Sequence, residues 1–177
     1  MSVLKWIFRI VILVLAVFLI GAFFLPKETS VARSIAIDAP AEEIFPHVAN
    51  LKATEAWSPW LSRDPEVQLT YGDVAEGVGA TMTWASDHPQ VGSGNMEIVE
   101  ATAPSHLKTA LDFGDMGTAM AYFDLVAQGD ATQVTWGFTS DNGNNPMLRW
   151  MGLMMDGWVG PDYQKGLENL KNLVEGA

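Results

Sequence analysis

Residues 32–60 read "ARSIAIDAPAEEIFPHVANLKATEAWSPW". With Val31 in front, Val31, Arg33, Ile35 and Ile37 alternate with Ala32, Ser34 and Ala36, which predicts a strand over 31–37. The chain then changes period at once. Asp38 suits a helix cap, Pro40 suits the first turn, and Glu42 and Glu43 favour the positive end of a helix. Ile44, Phe45 and Val48 form one apolar face, and Pro46 falls early enough to kink this short helix rather than forbid it. A second short helix is predicted around 50–56, ended by "WSPW".

Downstream the texture is that of strands. "EVQLTYG", "GATMTWAS", "SGNMEIVEAT", "SHLKTALDFG", "GTAMAYFDLVAQG" and "TQVTWGFTS" follow one another between residues 66 and 140, each bounded by Gly, Asp, Asn, Ser or Pro. "GDAT" at 129–132 marks a tight turn, and short connections mean antiparallel neighbours. "DNGNNP" is a loop that offers Asn144 or Asn145 as a cap, with Pro146 at the first helical position. The chain closes on a helical pattern in which Tyr163, Leu167, Leu170 and Val174 mark a stripe and Glu168, Lys171 and Glu175 the wet side. Pro161, with Gly157 and Gly160, is expected to bend or break this helix near 157–161. The predicted fold is α+β: a curved antiparallel sheet of six to seven strands wrapped around a long C-terminal helix, with two short helices after the first strand.

Ahead of this domain, residues 6–25 are apolar except for Arg9, about the length that crosses a hydrocarbon core of roughly 30 Å as a helix. The division expected is an anchor at 1–26, a polar linker at 27–30 and one domain at 31–177. A cleaved signal peptide is the rival, but its apolar core is usually only about 7–15 residues, and no good cleavage site follows here. Lys5 and Arg9 flank the apolar run at its start. They favour a cytoplasmic N-terminus and a domain on the periplasmic or extracytoplasmic side.

Seven basic and 20 acidic residues follow residue 30, a formal charge of −13. Nucleic acid needs a basic face, so it is excluded as a partner, and electrostatic docking on anionic lipid is disfavoured. The chain has no cysteine, hence no disulfide and no thiolate chemistry.

The quoted segment, together with "GPDYQKGLENLKNLVE" at 160–175, resembles the START-related polyketide cyclase/dehydrase and lipid transport superfamily, and order and length fit over 31–177. The resemblance implies a helix-grip fold with a deep apolar pocket, which in different branches hosts lipids, polyketides, sterols or plant hormones. An N-terminal anchor departs from the commonest architecture of the superfamily.

Strand alternation places Met82, Trp84, Met96, Ile98, Leu107, Leu111, Phe113, Ala121, Phe123, Leu125, Val134, Trp136 and Phe138 on the inner face. Met147, Met151, Met154 or Met155, and Trp158 are expected to face the sheet from the helix, with Trp57 and Trp60 closing the mouth. Four of the nine methionines lie between 147 and 155, and methionine suits an irregular pocket wall as well as ordinary core. A ligand site is therefore expected on these residues, without metal or cofactor. The histidines, His47, His88 and His106, are scattered and expected at the surface, and Arg149 likewise.

Asp156, if buried in the apolar helix, would have a raised pKa; it and Tyr122, which shares a strand face with Asp124, are the only acid/base candidates. No catalytic triad order, HExxH, GxSxG or phosphate-binding glycine loop is present. Three functions follow as expectations. The leading one is a membrane-anchored binding domain for a hydrophobic small molecule or lipid. A cyclase/dehydratase-like enzyme and a protein-interaction module whose acidic face docks a partner are the alternatives.

Overall fold

The computed structural model describes residues 2–176. The elements run α1 (Ser2–Phe24), β1 (Glu28–Ile37), α2 (Ala41–Ala49), a 3-10 turn at Ala53–Ala56, β2 (Gln68–Tyr71), β3 (Thr81–Ala85), β4 (Gly94–Thr102), β5 (His106–Asp112), β6 (Thr118–Gln128), β7 (Ala131–Asp141) and α3 (Pro146–Glu175). The seven strands form one antiparallel sheet in the order β1-β7-β6-β5-β4-β3-β2. This is the α+β helix-grip arrangement, with an apolar helix added in front.

Register explains the two faces. Met82 pairs with Met96, Met96 with Leu111, Leu107 with Phe123, Phe123 with Trp136, and Ala121 with Phe138, so these side chains share the inner face. The outer face is polar, with His106 on Asp124 (2.7 Å) and Ser34 on Thr135 (2.8 Å). A bulge between Ile98 and Glu100 shifts the register of β4 without inverting the inner set. The turn predicted at 129–132 is a two-residue connection, Gly129-Asp130, with Gly129 at φ +66°.

Several local expectations change. β1 begins at Glu28, so the polar spacer at 27–30 is mostly strand; Thr29 is buried and accepts a hydrogen bond from Asn142 Nδ2 (2.8 Å). Asp38 does not cap α2. Pro40 holds that position without a side-chain bond, and the Asp38 N–H donates to Glu175 Oε1 (2.7 Å), tying the end of β1 to the end of α3. Asn145 does cap α3, accepting from the N–H groups of Met147 (2.9 Å) and Leu148 (3.4 Å).

The break expected at 157–161 is absent, and α3 is one helix of 30 residues through Pro161. Its glycines serve close approach instead. A Cβ on Gly152 would overlap Thr29, one on Gly160 would overlap the Arg33 guanidinium, and one on Gly166 would sit 2.6 Å from the Trp136 ring. Lacking those methyl groups, α3 lies directly along β1.

Candidate functional site

The space between sheet and helix has two different halves. Under the C-terminal half of α3 it is filled by aromatic rings. Trp136 stacks on Tyr163 at 4.1 Å and on Phe123 at 5.1 Å. Trp57 and Trp60 meet the same indole edge-on at 5.2 and 5.5 Å, and Phe138 meets Tyr163 edge-on at 6.0 Å. Such stacked and T-shaped pairs add about 0.5–1.5 kcal/mol each beyond area burial. Trp57 is also anchored through Nε1 to His47 O (3.0 Å), and its carbonyl accepts from Asn169 Nδ2 (3.0 Å). Trp57 and Trp60 thus brace the core rather than close a mouth. Burial pushes the Tyr163 phenol above its ordinary value.

Towards β2–β5 the inner face is only half covered. Leu69, Tyr71, Met96, Leu111, Phe113 and Ala119 are packed against the core yet partly exposed, as are Met155 and Val159 of α3. Met82 and Trp84 are buried beneath them, and Trp84 meets Phe113 edge-on at 5.8 Å. The reason is the placement of α3, which follows the edge strand β1 and, less closely, β7. The result is an apolar strip on the inner face of β3–β6 that α3 leaves partly open, while Met155 and Val159 are the partly exposed residues of the first half of α3 that pack on the core. A separate surface concavity of about 580 Å³ lies at the β6–β7 turn, lined among others by Pro40, Glu42, Pro104, Leu125 and Asp130. Its two carboxylates are its only charged groups.

Of the helix residues expected to face the sheet, Met155 packs on the core, but the others do not. Met147, Met151, Met154 and Trp158 are exposed, at 57, 37, 45 and 53 %. Gly152, Gly160, Tyr163, Leu167 and Leu170 take the sheet-facing stripe instead. At about 100° per residue, the methionine–tryptophan stripe lies on the far side of α3.

The two acid/base candidates are not brought together. Tyr122 lies on the outer face, its ring covering Gly137 so closely that a Cβ there would fall 2.5 Å from it. Asp156 is exposed and paired with Arg33 Nη1 at 2.8 Å. That donated hydrogen bond holds its carboxyl below the ordinary carboxylate range, the reverse of the rise that burial would have given. An ionised, solvated carboxylate is not poised as an acid near neutral pH. The three histidines are half-buried rather than fully exposed, and among the described residues no three His, Asp or Glu side chains gather as a ligand set for a metal.

Arg149 is the largest departure from expectation. It is 5 % exposed. Its guanidinium donates to Gly143 O (2.9 and 2.6 Å), Ala22 O (3.0 Å), Phe23 O (3.4 Å) and Asn144 Oδ1 (3.2 Å). Ala22 and Phe23 belong to the last turn of α1, whose carbonyls have no partner within the helix, although Ala22 O also accepts from the Leu25 N–H just beyond it (3.2 Å). A cation there also meets the negative end of the helix dipole. Next to it Trp150 donates to Phe18 O (3.0 Å), stacks on the Phe18 ring at 5.9 Å and lies over Gly21. Arg149 and Trp150 therefore clamp α1 to the domain. The signal in the sequence was a single arginine in an otherwise apolar helix start, and nothing in the sequence marked its backbone partners at the end of α1.

Comparison with known proteins agrees with this architecture. The family model described as polyketide cyclase/dehydrase and lipid transport matches residues 28–175. Among solved structures, a protein from Staphylococcus epidermidis aligns with TM-score 0.59 at 14 % identity, covering 86 % of this chain and 94 % of its own. One from Arthrobacter aurescens aligns with TM-score 0.59 at 15 % identity, covering 84 and 87 %. CalU16 from Micromonospora echinospora aligns with TM-score 0.54 at 15 % identity, covering 83 and 74 %. At these identities the structures share the fold alone. No curated protein matches the sequence. From the start of β1 to the end of α3, then, the chain belongs to the polyketide cyclase/dehydrase and lipid transport family.

Proposed function

We propose that this domain holds a hydrophobic small molecule or a lipid acyl chain in a trough where α3 leaves the inner face of β3–β6 partly open, and that α1 keeps it at a membrane. The family fold is in general that of a ligand-binding domain. The observation that carries the finer reading is the half-exposed apolar row Met96, Leu111, Phe113 and Ala119 on an otherwise well-packed inner face. Concave, mostly apolar sites are where small ligands bind, and this trough has no charged group on its floor. α1 supports the second part: Val3–Phe24 is long and apolar enough to cross a bilayer, and only 6 % of it is buried. The geometry gives no comparable support to catalysis, since Tyr122 and Asp156 project away from the trough.

The test is native mass spectrometry of the full chain released from membranes of its own host, with bound small molecules identified. An apolar adduct is expected on the wild type. It should vanish in Leu111→Trp, which fills the trough, and persist in Tyr122→Phe on the outer face. An adduct that survives Leu111→Trp, or a wild type that takes up no apolar probe such as a fluorescent fatty acid, refutes the reading.

A further inference from the structure

The outward face of α3 changes character along its length. On the side away from β1, residues Pro146, Met147, Trp150, Leu153, Met154, Gly157, Trp158 and Pro161 include no charge. One turn later the same side carries Gln164, Lys165, Glu168 and Asn172. The two charged residues of the first half that lie towards the sheet are both engaged there, Arg149 with backbone carbonyls and Asp156 with Arg33. Leu153 and Trp158 remain 56 and 53 % exposed. A fully apolar, solvent-directed face of four turns that ends abruptly needs a partner.

The clamp identifies it. Phe18 and Gly21, the contacts of Trp150, lie inside the apolar span of α1, and Phe18 is about 9 Å along the axis from Phe24 at 1.5 Å per residue. From Trp6 to Phe24 α1 measures about 27 Å, close to the roughly 30 Å of a hydrocarbon core. If α1 spans, Trp150 is carried to the depth of Phe18, and the apolar face on either side of it cannot remain in bulk water.

We propose that the first half of α3 lies in the membrane interface, with Met147, Leu153, Met154 and Trp158 immersed at the acyl-chain boundary of the leaflet in which α1 ends. This rests on the reading of α1 as a membrane span. Tryptophan suits that zone, and the switch to Gln164 and Lys165 marks where the helix emerges. Met155 and Val159, the partly exposed residues of α3 that pack on the core, adjoin the immersed face, so the proposed trough opens beside lipid. The occupant of this surface is bilayer, not protein.

The chain has no cysteine, so a single introduced one carries a unique spin label. The full chain is reconstituted in phosphatidylcholine/phosphatidylglycerol vesicles with labels at Met154→Cys, Trp158→Cys, Lys165→Cys, Glu168→Cys and Leu13→Cys. Collision with oxygen, which concentrates in lipid, is compared with collision with a water-soluble nickel chelate. Labels at 154 and 158 should show oxygen-to-nickel ratios near that at 13 and several-fold above those at 165 and 168. A water-like ratio at 154 and 158 beside a lipid-like ratio at 13 overturns this inference alone. Protection of 154 and 158 from both reagents also overturns it, in favour of a second copy packed on the stripe. A water-like ratio at 13 overturns the membrane reading of α1 itself.

Discussion

Replacing Arg149 by methionine should loosen the joint between α1 and the domain. Methionine keeps the length of the stem and removes every donor, so Gly143 O and the Ala22 and Phe23 carbonyls lose the guanidinium that satisfies them. Removing the cation also removes its own desolvation penalty, so the loss is smaller than the sum of its bonds. What remains is chiefly the cost of Gly143 O left without a donor, since Ala22 O keeps the Leu25 N–H (3.2 Å), about 2 kcal/mol. At about 1.4 kcal/mol per decade, the population with α1 undocked rises about 30-fold. Hydrogen exchange of the full chain in nanodiscs reads this directly. The Asn142 N–H bonded to Lys27 O (2.7 Å) and the Asn145 and Arg149 amides sit at the joint. Peptides covering 142–150 should exchange about 30-fold faster, while those covering 163–175 stay as they are. Arg149→Lys should recover only part, because one ammonium lacks the fork that reaches Gly143 and Ala22 together. Unchanged exchange over 142–150 in a folded Arg149→Met variant would refute the clamp.

Two glycines five residues apart should respond in opposite directions. Gly152→Ala drives a methyl group into Thr29, a short buried side chain of β1 with no room to swing aside, and should cost about 1–3 kcal/mol, whereas Gly157→Ala meets nothing within 4 Å and should gain up to about 1 kcal/mol. Thermal unfolding of the full chain in detergent separates them by several degrees, and equal midpoints would show that α3 does not lie as close to β1 as described. The Arg33–Asp156 pair makes a pH prediction. The Asp156 carboxyl is held below its ordinary 3.8, so its contribution is present above that value and lost as the pH falls through the folded-state value. Urea midpoints of Asp156→Asn should therefore fall less steeply than those of the wild type below about pH 4, and parallel curves would contradict the pairing.

The sheet was legible because a strand of period two, bounded by turn residues, fixes which side chains share a face. Met82 through Phe138 fall on the inner side as alternation required. The cap at Asn145 was legible for a similar local reason, Pro146 following a short polar side chain. The first half of α3 was not, because it is apolar on two sides and periodicity cannot say which of them takes the sheet. The sheet side was carried by Gly152 and Gly160, two turns apart, with Arg149 and Asp156 between and beside them. Those residues read as interruptions in one dimension, and only a neighbouring strand turns them into contacts. Arg149 escaped because its partners are backbone carbonyls, which have no signature in sequence.

The pairing of β1 with β7 sets an order on the birth of this molecule. Glu28 lies opposite Asp141, and Ile37 opposite Thr132. At synthesis rates of about 5–20 residues per second, β1 waits roughly 5–20 s for the strand that completes it, and α3 arrives later still. α1 can settle in a bilayer throughout that interval, since a helix satisfies its own backbone. The domain cannot close, since both the first strand of its sheet and the helix that covers it depend on the last third of the chain. For those seconds a ten-residue strand with open edges stays unpaired, a template for wrong pairing. Glu28, Ser30 and Ser34 on its outer side make that face a poor template for apolar pairing.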